Sequence, residues 1–225
     1  MAFSAHTLDF LFINKLQDSR EWFNERRDEY EEFVLNPMRQ LVTDLAPAIM
    51  EIDPLMICEP KVNKSISRVF RDTRFSKDKS IFRDTFWCTF MRDKKLYHGM
   101  PGFFFELSPR MFRYGCGYYQ VRPEVVDTVR QMILAGNLEF KKAKTCVEKN
   151  KKFSLMSDFY KKTKYPDQPE DIRLWLDMKN YGVIHESTDF ELLFSDNLAG
   201  VLAKDFKALK PLYDFLIKAE SITGK

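Results

Sequence analysis

Within the stretch RVFRDTRFSKDKSIFRD, Arg68 to Asp84, five basic side chains and two carboxylates fall between Arg68 and Lys79. Arg68, Arg71 and Arg74 recur at intervals of three, followed by Lys77 and Lys79, with Asp72, Ser76 and Asp78 between them. Guanidinium groups held in place make paired hydrogen bonds to phosphate or carboxylate, and a lysine adds a point charge. Ser76 supplies a hydroxyl donor. Asp72 and Asp78 can orient the arginines, or act as a general base where no histidine is near in sequence. The interleaved Val69, Phe70, Phe75, Ile81 and Phe82 indicate a segment that packs on the body of the protein. The same residues also suit a clasp in which Arg and Asp pair with each other and lock an irregular connection. The residues alone leave both readings open.

Charge is concentrated locally. Residues 61–84 hold eight Lys or Arg against three Asp, and Lys141–Lys152 hold six Lys against one Glu, while the whole chain is only +3. Each tract therefore carries a surplus of five, and the rest of the chain is net acidic. The second tract is all lysine and reads as a solvated helix face rather than a polyanion dock.

Other chemistries leave no trace. The sequence has no G-x-G-x-x-G, G-x-x-x-x-G-K-[ST], G-x-S-x-G or H-E-x-x-H, and it names no cofactor and no metal site. His6, His98 and His185 lie in unrelated segments and read as structural or surface residues. Cys58, Cys88, Cys116 and Cys146 form no C-x-x-C pair and read as small hydrophobes in a reducing compartment. The first twenty residues lack the pattern of a secretion signal, and no apolar run is long enough to span a bilayer. A soluble, cytoplasmic protein with no membrane partner is expected.

The elements around the basic stretch follow from periodicity. REWFNERRDEYEEFVLN places Trp22, Phe23, Tyr30, Phe33 and Val34 at helical spacing, capped by Asp18 or Ser19. Pro37 opens another helix, which Pro47 ends or kinks. Aromatic runs from Ile81 to Val121, broken by turn-prone residues, predict an antiparallel meander. The glycine pair of YGCGYY reads as a bulge or tight turn in a strand. RPEVVDTVRQMILAGN and LEFKKAKTCVEKNKKF predict helices, KKTKYPDQPED a loop, and YGVIHES a short strand before C-terminal helices. The expectation is one α+β domain over residues 1–225, with a helical N-terminal layer, a central antiparallel sheet and C-terminal helices.

REWFNERRDEYEEFVLNPMRQLV, the central RVFRDTRFSKDKSIFRD, PGFFFELSP and RYGCGYY together resemble domain-of-unknown-function family 2461, a mostly microbial group. Arg20, Glu21, Trp22, Phe23, Tyr30 and Pro37 fall on the family's first motif. Arg68, Arg71, Asp72, Arg74, Phe75, Ser76, Lys77, Asp78 and Lys79 fall on its R-D-x-R-F-S-K-D-K block. Phe70, Ile81 and Arg83 replace the family's usual tyrosine, proline and lysine, and YGCGYY is less glycine-rich than its usual turn. Every charged position of the central block is kept. The resemblance implies a fold and a candidate site, and no reaction.

Three functions fit. One is an anion-binding site for phosphorylated or carboxylated small molecules, enzymatic or not, built on Arg68, Arg71, Asp72, Arg74, Ser76, Lys77, Asp78 and Lys79. A second is a nucleic-acid or polyanion-binding module. The third is an interaction or scaffold protein in which the block is internally paired. Oligomeric state is not legible.

Overall fold

The structure, a computed structural model, describes residues 2–74, 77–93 and 99–224. The chain begins with α1 (Ala5–Gln17), α2 (Arg20–Glu25), α3 (Arg27–Tyr30), a π-helical turn (Glu31–Leu35) and α4 (Asn36–Ile52). An irregular stretch leads to β1 (Phe86–Phe90), β2 (Gly102–Leu107) and β3 (Phe112–Gly117). Then come α5 (Pro123–Leu134), α6 (Leu138–Lys149), β4 (Ser154–Leu155), α7 (Glu170–Leu176), β5 (Gly182–Ser187), α8 (Phe190–Phe194), α9 (Leu198–Ala208) and α10 (Lys210–Thr223). The strands form one antiparallel sheet in the order β1-β2-β3-β5-β4, and β4 meets β5 with Ser154 opposite Ile184. This is the α+β arrangement of N-terminal helices, central sheet and C-terminal helices that the periodicity predicts.

Local chemistry sets the N-terminal boundaries. Asp18 stands at φ 45° in the left-handed region and ends α1, its N–H donating to Asn14 O. Such a conformation suits Asp or Asn because a short polar side chain tolerates it. Ser19 is the cap of α2, its Oγ accepting from Trp22 N–H at 3.2 Å. Of the two expectations for Pro47, an end or a kink, the end is excluded, because α4 runs on to Ile52. Leu45, Ala48, Ile49 and Ile52 are buried on either side of the proline, and their packing outweighs one missing backbone bond.

The chain divides into two compact units, Met1–Phe90 with Phe104–Tyr114 and Glu186–Lys204, and Met91–Phe103 with Gly115–His185 and Asp205–Lys225. The first is organised by aromatic rings: Phe10, Phe23, Tyr30, Phe82 and Phe86 are all buried and in mutual contact. Aromatic pairs of this kind add to the area they bury, by about 0.5–1.5 kcal/mol each. In the second unit α10 packs on α5 and α6, with Phe140 between Trp175 and Phe215.

The glycine pair of YGCGYY lies in and at the end of β3, and its cause is close approach. A Cβ on Gly115 would stand 1.9 Å from Val183 O, and one on Gly117, at φ 151°, 2.3 Å from Gly182 Cα. Only glycine lets these backbones come so near.

Candidate functional site

The basic stretch forms a loop closed at its neck. Phe70 and Phe82 face each other in an isolated antiparallel bridge, and their rings lie 4.8 Å apart. Arg71 N–H donates to Ile81 O (2.8 Å) and Arg83 N–H to Val69 O (3.1 Å), so the two arms of the loop are tied together. Both rings rest on Phe23, at 5.4 and 5.1 Å, which is the reason the sequence alternates aromatic and basic residues here. Compact loops with joined ends hold their shape through their own side chains.

A second anchor comes from far away in sequence. Oδ1 of Asp18 accepts from the N–H groups of Ile81 (2.8 Å) and Phe82 (2.9 Å). The left-handed turn after α1 aims that carboxylate at the loop's returning arm. Lys15, one turn earlier on α1, donates to Ser80 Oγ at 2.5 Å.

Within the loop, acids and bases pair. Arg74 binds Asp72 through two parallel bonds, Nε to Oδ1 at 3.0 Å and Nη2 to Oδ2 at 2.7 Å. Arg71 reaches across to Asp78 at 3.0 Å, and Lys79 donates to Thr73 O at 2.9 Å. Asp78 in turn accepts from Ser80 N–H at 2.9 Å. Arg71 is the shielded member, 28% exposed at its side chain against 76% for Arg74. Arg68, Lys77 and Lys79 are exposed. Ser76, with Phe75, lies outside the described residues.

Electrostatics follows the pairing. The hydrogen bonds from Arg74 hold the Asp72 carboxyl far below its ordinary range, and Asp72 in turn raises the pKa of Arg74. Asp78 is lowered too, chiefly by the bonds from Ser80 and then by the charge of Arg71. Bonded in this way, the two carboxylates hold Arg74 and Arg71 in place on the loop. Because the pairs face water, they hold geometry more than they add stability.

Concave surface lies elsewhere on the same unit. A groove beside α1 is lined by Leu8, Phe12, Leu16, Pro109, Phe190 and Phe194, with Lys15 and Asp84 among its charged edges. A smaller hollow is lined by Phe3, Pro37, Leu41 and Leu198. None of the described residues from Arg68 to Lys79 lines either one. On the loop, Arg71 and Arg74 are held by its carboxylates, and Arg68, Lys77 and Lys79 are exposed.

The remaining candidates have structural partners. In the lysine tract, Lys144 of α6 bonds Glu148 (2.6 Å) and Asp171 (2.7 Å), and Lys152 bonds Asp205 at 2.5 Å, while Lys141 and Lys142 are exposed. His6 packs on Phe33, and His185 Nδ1 stands 3.0 Å from Lys152 O, with burial lowering its pKa. His98 lies outside the described residues. All four cysteines are free thiols, and Cys88 and Cys116 are buried. Among the described residues no cluster of His, Cys, Asp or Glu could hold a metal ion, and no helix is long and apolar enough to cross a membrane. The anchor at Asp18 escaped the sequence reading, which saw in that residue only a helix cap.

No curated protein matches the chain. The family described as "Conserved hypothetical protein (DUF2461)" matches residues 6–215, from α1 into α10, and thus takes in the whole of the anchored loop. The chain belongs to that family.

Proposed function

We propose that the protein is an anion-recognition module whose contact surface is the loop from Arg68 to Lys79. The observation that carries this is the charge left after pairing: five cations against two carboxylates leave a surplus of three on one exposed, anchored loop. Arg68, Lys77 and Lys79 supply the attraction, and Arg71 and Arg74 supply oriented guanidinium groups, with Asp72 and Asp78 as their supports. Ser76 belongs to the same contact by its place in the sequence. The open setting suits a phosphate or carboxylate group presented to the loop better than a molecule enclosed in a pocket. The four free thiols support the reducing cytoplasm as its location.

A second reading, favoured by the bonds from Asp18 and by the internal Arg–Asp pairs, makes the loop a structural clasp with no ligand. Melting curves of the full chain separate the two. Tripolyphosphate, citrate and a short oligonucleotide are added at low and high salt to the parent, Arg71→Ala and Arg74→Ala. A ligand bound only by the native state raises the melting temperature by mass action. Recognition requires a rise in the parent that shrinks in both variants. No rise in the parent, with variants that melt well below it, establishes the clasp. A response to the oligonucleotide alone, collapsing steeply with salt, assigns the loop to nucleic acid.

A further inference from the structure

Tyr160, in the segment between β4 and α7, is surrounded by three cations. Lys164 Nζ lies 4.8 Å, Lys179 Nζ 5.2 Å and the Arg130 guanidinium carbon 5.3 Å from its ring centroid. These residues all belong to the second compact unit and share nothing with the loop of the first.

Their positions are set by the backbone. Tyr160 N–H donates to Asp177 O at 2.9 Å and Lys179 N–H to Asp158 O at 2.8 Å, beside a bridge between Phe159 and Met178. Arg130 reaches in from α5 with its side chain only 8% exposed. Its Nε donates to Leu176 O (3.0 Å) and its Nη2 to Met178 O (3.1 Å), while Nη1 pairs with Asp127 at 3.3 Å. The guanidinium is thus a fixed charge, already bonded on three nitrogens.

The two lysines are different. Among the described residues, neither ammonium makes a hydrogen bond or ion pair, and the ring of Tyr160 is the contact each has. Of the nearby carboxylates, Asp127 is committed to Arg130, and Asp177 accepts from the Thr163 hydroxyl at 3.1 Å. One ring has two faces and gives an exposed cation only a weak attraction. Three like charges around it, separated by no more than on the order of the Debye length of about 10 Å at 0.1 M salt, repel one another. An anion beside the two ammonium groups offsets that repulsion.

Among the described residues, one buried hydroxyl of the same unit has no partner. Tyr181 is buried, and its hydroxyl makes no hydrogen bond among the described residues. It lies within electrostatic reach of Arg130 and Tyr160, and burial raises its pKa, so the hydroxyl keeps its proton. A buried hydroxyl without a partner is costly unless something accepts from it.

We propose that Lys164 and Lys179, backed by Arg130 and with the Tyr181 hydroxyl as donor, form an oxyanion site that takes the phosphate group of a small molecule. Inorganic phosphate is the probe. It is titrated into the full ¹⁵N-labelled chain at constant ionic strength, with chloride as control, and the backbone amides of Lys179, Asn180 and Tyr181 are followed by NMR. Saturable shifts at these amides are expected. They weaken at least tenfold in affinity in the Lys164→Ala/Lys179→Ala variant, whose replaced side chains are exposed, and severalfold in Tyr181→Phe. Arg68→Ala/Lys77→Ala leaves them unchanged, which separates this site from the loop. Shifts that chloride reproduces, or that persist in the lysine double variant, overturn the proposal. So does a response at these amides to a short oligonucleotide with none to phosphate.

Discussion

Asp18 is the residue whose removal most directly tests how the basic loop is held. One oxygen of its carboxylate accepts from two backbone donors, Ile81 N–H at 2.8 Å and Phe82 N–H at 2.9 Å, and Phe82 is fully buried. Leaving a buried donor without a partner costs about 1–3 kcal/mol, so losing both costs about 2–6 kcal/mol. Asp18 also stands at φ 45°, which Asp, Asn and Gly tolerate but where alanine pays about 1–2 kcal/mol. Asp18→Ala combines both losses. Asp18→Gly suffers only the first, and Asp18→Asn keeps an oxygen in place, tolerates the turn, and loses about 1 kcal/mol of charge assistance. The expected order of stability is therefore Asp, Asn, Gly, Ala. Urea unfolding followed by tryptophan fluorescence gives the differences, and hydrogen exchange at the Ile81 and Phe82 amides shows whether the loss is local. A loss below about 1 kcal/mol in Asp18→Gly, or unchanged protection of both amides, would refute the reasoning, because that variant removes both bonds and adds no strain to the turn.

Three further outcomes follow from other parts of the structure. Gly115→Ala places a Cβ 1.9 Å from Val183 O, a backbone atom that cannot turn aside, so the variant should lose more than about 3 kcal/mol or fail to fold, whereas tolerance would mean β3 and β5 sit farther apart. His185 has a folded pKa below its ordinary 6.5, so the native state binds fewer protons than the unfolded chain. Its contribution to stability is present above pH 6.5 and is lost as pH falls through the folded value. His185→Gln should flatten that part of the stability profile, and an NMR titration midpoint at or above 6.5 would contradict it. Burial pushes the Cys88 thiol up to about 12 and that of Cys58 up to about 11. At pH 8 Cys88 should therefore react with a thiol reagent only after unfolding and half-buried Cys58 only slowly in the native state, and rapid native labelling of Cys88 would show its strand to be open.

Much of the fold was legible because its signals are local. The meander from β1 to β3, the helices opening at Pro37 and Pro123, and the strand in YGVIHES each follow from periodicity and turn residues close by in sequence. The glycine pair in YGCGYY could be read as special, but its partners Val183 and Gly182 are some 65 residues away, so the close approach became visible only in the sheet. Pro47 could be read locally only as an end or a kink, and the choice against an end is made by burial on both sides of it. At the candidate site the residue types were plain, and the pairing was not. Nothing in RVFRDTRFSKDKSIFRD tells that Arg71 reaches Asp78 while Arg74 takes Asp72, or that Asp18 secures the returning arm. The cluster at Tyr160 left no pattern at all, because Arg130, Lys164 and Lys179 come from a helix, a loop and a turn.

The central claim is that the surplus charge of the anchored loop recognises an anion, and Arg68 and Lys77 test it most cleanly. Both are exposed, and among the described residues neither takes part in the bonds that shape the loop. Calorimetric titration of tripolyphosphate into the full chain, into Arg68→Ala/Lys77→Ala and into Lys164→Ala/Lys179→Ala is the measurement. The expected result is binding to the parent that weakens at least tenfold in the loop variant at an unchanged melting temperature, with the heat from the loop preserved when the Tyr160 lysines are removed. Equal affinity in the loop variant and the parent would contradict the claim and leave the loop a clasp.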